Sequence, residues 1–219
     1  MDKDIIVTDV ETQKLPDEVE GGWKNIEGMG ISSCVTYSYN KNVYKFWGST
    51  TTEHKNLLEY LNGNIVVGFN TINFDTKLIL GNSRILSEDG ITRNKKYYFY
   101  NFDIFCEIWK QIYKTKNCIE ALEKQKRDKN SHVKNVWNLD QISKNTLGNT
   151  CCKTENGKTA PEKFKLGLIK ELFEYNLQDV RTEKNLYEFV LKYRYIVNGT
   201  FDIVRFEDEY ITSISKNLD

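Results

Sequence analysis

The run Asp4-Ile5-Ile6-Val7-Thr8-Asp9-Val10-Glu11-Thr12 sets the architecture. β-Branched residues predict a short buried strand over residues 4–10, and acids come where it ends. Successive strand side chains alternate between faces, so Asp9 and Glu11 share one. Two like charges held side by side repel unless cations neutralise them. An Asp-x-Glu also arises by chance at strand ends, so the pair by itself identifies nothing.

Residues 12–28 are polar, carry Gly21, Gly22 and Gly28, and read as a loop. Strands follow over about 29–39 and 42–48, turned into a hairpin by Asn40-Lys41-Asn42. Leu57, Leu58 and Leu61 recur at helical spacing within 53–62, and Asn62-Gly63-Asn64 stops that helix. Ile65-Val66-Val67-Gly68-Phe69 is a second buried strand, followed by a helix from near Phe74 to about Leu80. Residues 81–97 read as loop and short strand, and helical patterns appear over 104–114 and 117–125. Asn138 resembles an N-cap for a helix to about Leu147, between polar connections over 126–136 and 148–161. The pattern is helical again from Ala160, and residues 168–191 form the longest amphipathic stretch.

In the tail, residues 193–214 alternate around Asn198-Gly199, which predicts a terminal hairpin. The expectation is an α/β chain with one domain over 1–191 and a hairpin extension over 192–219. Three antiparallel strands, a helix and a parallel strand suit a ribonuclease H-like mixed sheet (antiparallel hairpin plus parallel strands) flanked by helices. The order alone fits several α/β folds.

A length of 219 residues suits one decorated domain, and 39% hydrophobic with 28% charged residues permits a packed core. Lys+Arg and Asp+Glu balance at 31 each, so net charge points to no nucleic-acid partner. Steering depends on the local field, and a neutral total is compatible with an acidic pocket rimmed by lysines. No run approaches the roughly 18 continuous apolar residues of a membrane span. The start, Met1-Asp2-Lys3-Asp4, has no signal-peptide layout. Cys34, Cys106, Cys118, Cys151 and Cys152 include no CxxC pair and no histidine at zinc-ligand spacing. Free thiols in a reducing, intracellular, cytoplasmic compartment are expected.

Two further acids stand in distinct contexts. Gly68-Phe69-Asn70-Thr71-Ile72-Asn73-Phe74-Asp75 ends a strand and opens a helix with an aspartate, which singly reads as a cap or dipole partner. Tyr175-Asn176-Leu177-Gln178-Asp179 lies in the long helix, where positions four apart share a face. Singly, these are a core tyrosine and an exposed aspartate. Asp103, in Tyr100-Asn101-Phe102-Asp103, heads another helix and reads first as a cap, with a structural or auxiliary metal role in the wall of the site as the alternative.

Together the segments resemble, in order and spacing, the three motifs of the DEDD exonuclease superfamily: Asp-x-Glu, then Asn-x(2–3)-(Phe/Tyr)-Asp, then Tyr-x3-Asp. The resemblance spans residues 4–191, with motif-level identity confined to those segments. The chain is most similar to exonucleases related to the proofreading domain of family-B DNA polymerases, through Asp9-Val10-Glu11-Thr12, Gly21-Gly22-Trp23, Met29-Gly30, Asn138-Leu139-Asp140 and Leu147-Gly148. The histidine branch needs His five positions before Asp179, where Glu174 stands; Tyr175 gives the tyrosine branch, DEDDy. His54 and His132 have no motif around them and read as surface residues.

The resemblance implies a 3′–5′ exonuclease that hydrolyses phosphodiesters with two divalent cations, Mg²⁺ or Mn²⁺. Asp9 would bridge both ions, Glu11 and Asp179 would complete one and Asp75 would hold the other. Tyr175 would orient the attacking water, since an ordinary tyrosine hydroxyl stays protonated near neutrality. The implied partner is single-stranded or 3′-ended DNA, with replication or repair proteins as candidate partners and no membrane. Thr12, Trp23, Asn70 and Phe74 are the candidate substrate contacts. Trp23 reads equally as a stacking platform for a terminal base and as packing, and Phe74 reads first as core. Lys124, Lys126, Arg127, Lys129, Lys153 and Lys158 suit either phosphate contacts or a solvated face. An exoribonuclease of the same fold is the alternative, then a non-catalytic nucleic-acid-binding module, then an unrelated α/β protein matching by accident.

Overall fold

Strand β1 (Ile5–Thr12) runs further than its apolar residues alone predict, so Asp9 and Glu11 lie within it. Ile5 and Val7 enter one core with Val35, Tyr37, Ile65 and Val67, while Ile6 and Val10 enter another with Cys34, Leu57 and Val66. By that alternation the two acids continue the Ile5/Val7 face. The structure, a computed structural model, describes residues 3–129, 136–148 and 159–212.

Around β1 stand β2 (Ile31–Ser38), β3 (Val43–Trp47), β4 (Ile65–Gly68), β5 (Ile85–Leu86), β6 (Ile91–Arg93) and β7 (Tyr98–Asp103), in the order β3-β2-β1-β4-β7-β6-β5. β1 is antiparallel to β2 and parallel to β4, and β4 is parallel to β7. Antiparallel hairpins close both edges. Helices α1 (Thr51–Leu61) and α2 (Asp75–Leu80) cover the Ile6/Val10 face. The other face packs against α3 (Ile104–Tyr113), α5 (Leu139–Leu147) and α7 (Ile169–Tyr193), while α4 (Cys118–Arg127) packs beside α3 and α6 (Thr159–Lys165) beside α7. This is an α/β fold, a mixed sheet flanked by helices, and its order is consistent with the ribonuclease H-like arrangement.

Several elements differ from expectation. Tyr98–Asp103 forms a strand parallel to β4, where sequence patterning assigns nothing; its aromatic residues fit a pleated surface. The loop over 12–28 holds three single 3-10 turns, at Pro16–Glu18, Gly22–Lys24 and Glu27–Met29. Lys124, Lys126 and Arg127 belong to the last turn of α4, where cations complement the helix dipole, and not to a loop. His54 is half-buried, with Nε2 3.0 Å from the Ile79 carbonyl oxygen, so it is no plain surface residue. Cys34, Cys106 and Cys118 are buried free thiols. His132, Cys151, Cys152, Lys153 and Lys158 lie outside the described residues.

The tail hairpin forms about Asn198-Gly199 as β8 (Tyr195–Val197) and β9 (Ile203–Arg205), and it buries Ile196 and Phe206 in the core shared by β1 and α7. Among the described residues no helix is long and apolar enough to cross a membrane.

Helix α7 carries the feature that matters most. Its inward stripe is apolar at Leu172, at Val180 and again at Leu186, Tyr187 and Val190. Between these, the buried face also holds Tyr175, Asn176, Asp179, Thr182 and Glu183. Burying polar and ionisable groups costs stability unless each finds a partner, so this stretch needs a reason.

Candidate metal centre

The polar stretch of α7 packs over the end of β1 where Asp9 and Glu11 project. One carboxylate oxygen from each of Asp9, Glu11 and Asp179 lies within 4.8 Å of the others, with Asp9 and Glu11 half-buried and Asp179 buried. Asn176, itself buried, donates its side-chain amide to Asp9 Oδ2 and fixes that carboxylate. A register shift between Glu11 and Thr12 ends the regular β1–β2 ladder beside the acids. Such bulges re-aim side chains and are common next to active sites.

Asp75 approaches Asp9 by another route, but its carboxylate is not among the three that lie within 4.8 Å of one another. β4 pairs with β1 only as far as Val7↔Val67, so the backbone of β1 beyond Val7 lacks a strand on that side. Asp75 Oδ1 takes over, accepting the Val10 N–H at 3.0 Å. Burial and then the charge of Asp9 hold the Asp75 carboxyl well above the usual range.

The loop from β4 to Asp75 is itself pinned. Asp103 caps α3 by accepting the Phe105 and Cys106 N–H groups at 3.0 and 3.3 Å. It also accepts Asn70 N at 2.8 Å and Ile72 N at 2.9 Å. Burial outweighs these four donors and pushes its carboxyl up to about 6. Asp103 is therefore the expected cap and also a clamp on the Asp75 loop. Asn70 sits at φ +63°, a left-handed conformation asparagine tolerates, and its side chain accepts from Asn73 Nδ2 at 2.9 Å.

Gly68, where this loop leaves the sheet, admits no side chain. A Cβ there would lie 2.4 Å from Thr71 Cγ2 and 2.8 Å from the Thr8 carbonyl oxygen. Gly68→Ala is expected to destabilise the fold by about 1–3 kcal/mol through overpacking. Thermal unfolding checks this, and an unchanged melting temperature would contradict the close approach of β4 to β1.

Tyr175 is buried one turn before Asp179, its ring among Ala160, Leu172 and Phe164, with Lys163 Nζ 5.6 Å from the ring centroid. Lys165 of α6 pairs with Glu18, tying that helix to the loop after β1. Trp23 is 66% exposed and lies 6.2 Å from the Phe74 ring, so a solvent-facing aromatic stands on the residue preceding Asp75. Phe74 is half-buried against the Ile6/Val10 core, and Thr12 is buried. A cavity of about 400 Å³ near α1 and α2, lined by Gln13, Thr50, His54 and Ile79, has none of Asp9, Glu11, Asp75 and Asp179 in its walls.

One residue here escapes the motif reading. Glu183 stands one turn beyond Asp179 and is 1% exposed. Its Oε1 accepts the Phe69 N–H at 3.0 Å. Burial, then the charges of Asp9, Asp75 and Asp179, raise its carboxyl well above the usual range. No protein-family model matches the chain and no curated protein matches it, so the site stands on its own geometry.

Proposed function

We propose that this chain is a metal-dependent 3′–5′ exonuclease of the DEDDy type, removing nucleotides from single-stranded DNA by phosphodiester hydrolysis. The observation that carries the reading is the convergence of Asp9, Glu11 and Asp179 within 4.8 Å, from two elements distant in sequence. Burying so many acids together is unfavourable without positive charge. Carboxylate oxygens free of nitrogen or sulfur donors suit hard cations such as Mg²⁺ or Mn²⁺. Asp9, Glu11, Asp75 and Asp179 are the side chains that would hold two of them. Such ions supply activation of the attacking water and neutralisation of charge at the phosphate.

The rest falls to the chain's own groups. Asn176 orients Asp9, and the Val10 N–H orients Asp75, so two of the four carboxylates are held before any ligand arrives. Tyr175, on the same helix face as Asp179, offers its hydroxyl to position the water. Trp23 and Phe74 offer a surface on which the 3′-terminal base stacks without regard to its identity.

Incubation of the protein with 5′-labelled single-stranded DNA and RNA, in Mg²⁺, Mn²⁺ or EDTA, tests this directly. The expected result is a DNA ladder shortening from the 3′ end in either metal and intact substrate in EDTA. Shortening of RNA alone would assign the same chemistry to an exoribonuclease. Both substrates intact in Mn²⁺, or cleavage that survives EDTA, overturns the reading.

A further inference from the structure

We propose that Glu183 is a fifth carboxylate of the cation site, its Oε2 coordinating an ion alongside Asp9, Asp75 and Asp179; this rests on the metal-centre reading above. The two oxygens of Glu183 are in different situations. Oε1 is used, accepting the Phe69 N–H at 3.0 Å, which joins α7 to the end of β4 and fixes the side chain. Oε2 is buried and, among the described residues, has no hydrogen-bond partner. A buried acceptor left unmade costs free energy, more so when it belongs to an ionised group.

An anchor for the Phe69 N–H does not need a carboxylate. Glutamine would present the same acceptor without placing a further negative charge near Asp9, Asp75 and Asp179, whose charges already act on this group. What a carboxylate adds is a second oxygen able to bind a cation. The fold also leaves that oxygen its space: a Cβ on Gly68 would come 3.2 Å from Oε2. Positions 175, 179 and 183 share a helix face, so Glu183 extends the Tyr175–Asp179 row. Glu183 thus has a buried oxygen to offer an ion one turn beyond Asp179 and, through Phe69, is tied to the loop that bears Asp75.

Calorimetric titration of the full chain with MnCl₂ separates the roles. Glu183→Gln retains the Phe69 acceptor and the volume, so it is expected to melt no lower than wild type without metal. Its Mn²⁺ dissociation constant is expected to rise about 10-fold or more, or one ion to be lost. Unchanged affinity and stoichiometry overturns the proposal and reduces Glu183 to a structural anchor. A second measurement needs no variant: in Mn²⁺-soaked wild-type crystals, anomalous density should place an ion at roughly 2.0–2.3 Å from a Glu183 oxygen. Ions bound only beyond that reach overturn it as well. Wild-type protein that takes up no Mn²⁺ sinks this proposal and the metal-centre reading together. Wild-type protein that binds Mn²⁺ through Glu183 but cuts no nucleic acid sinks only the nuclease.

Discussion

Asp179→Asn and Asp9→Asn are each expected to lower phosphodiester cleavage by about 10²–10³-fold, by analogy with losing one preorganised electrostatic group from an active site. Neither should unfold the protein. Each change keeps the side-chain volume and removes a negative charge from a place where several compete. At Asp9 the retained amide oxygen can still accept from Asn176, whereas alanine would leave that buried amide donor without its acceptor, at a cost of about 1–3 kcal/mol. Rates on labelled single-stranded DNA, with melting curves as the folding control, decide the matter. Full activity in either variant would remove that residue from the chemistry.

Asp75 should behave differently, because it has a structural task as well. Its Oδ1 holds the Val10 N–H where β4 has left the flank of β1. Truncating it removes a charge and also orphans a backbone donor, so activity and stability move together. That mixed outcome makes Asp75 a poorer probe of mechanism than Asp179, which belongs to the group with Asp9 and Glu11.

The meeting of Asp9, Glu11 and Asp179 rests on local rules, alternation for the first two and four-residue helix spacing from Tyr175 for the third, while Asp75, legible as a strand-to-helix junction, stands outside that group. The antiparallel start and the parallel return through Ile65–Gly68 were readable for the same reason. Residues acting across the chain were not. Asp103 reads as a cap from its neighbours, yet its bonds to Asn70 and Ile72 depend on β7 lying beside β4. That pairing has no local signature, because Tyr98–Asp103 mixes aromatic and polar residues without a clean apolar alternation.

Glu183 and Asn176 leave a fainter trace. Both sit at inward positions of the α7 stripe that runs from Leu172 to Val190, where an apolar residue is the ordinary choice. An acid at such a position marks either an exposed face misread as buried or a functional interior. Helix spacing alone does not separate the two. The separation comes from the sheet, which covers that face of the helix and brings Phe69 N to Glu183.

Without divalent cations, the protein is expected to lose stability as pH rises from about 5 to 8, and Mg²⁺ or Mn²⁺ should reverse the trend. Paired carboxylates usually behave the opposite way, their folded pKa being depressed. Here burial and mutual repulsion raise Asp75 and Glu183 above the ordinary values of 3.8 and 4.5, and Asp103 reaches about 6. The folded state therefore binds more protons than the unfolded chain across this window. Stability is fully present below the unfolded values and falls as pH climbs through the folded ones. Cations compete for the same oxygens in their deprotonated form, so metal binding strengthens in the range where proton binding fails. At about 100 times the dissociation constant, one ion stabilises the fold by about 2.7 kcal/mol. For a chain of this size that is roughly 5–10 °C in melting temperature. Melting curves at pH 5, 6.5 and 8, in EDTA and in Mn²⁺, test this, and Asp75→Asn should flatten the fall seen in EDTA. A metal-free melting temperature that holds or climbs toward pH 8, with no gain from Mn²⁺, would mean that these acids are relieved by protein partners and that the interior holds no cation.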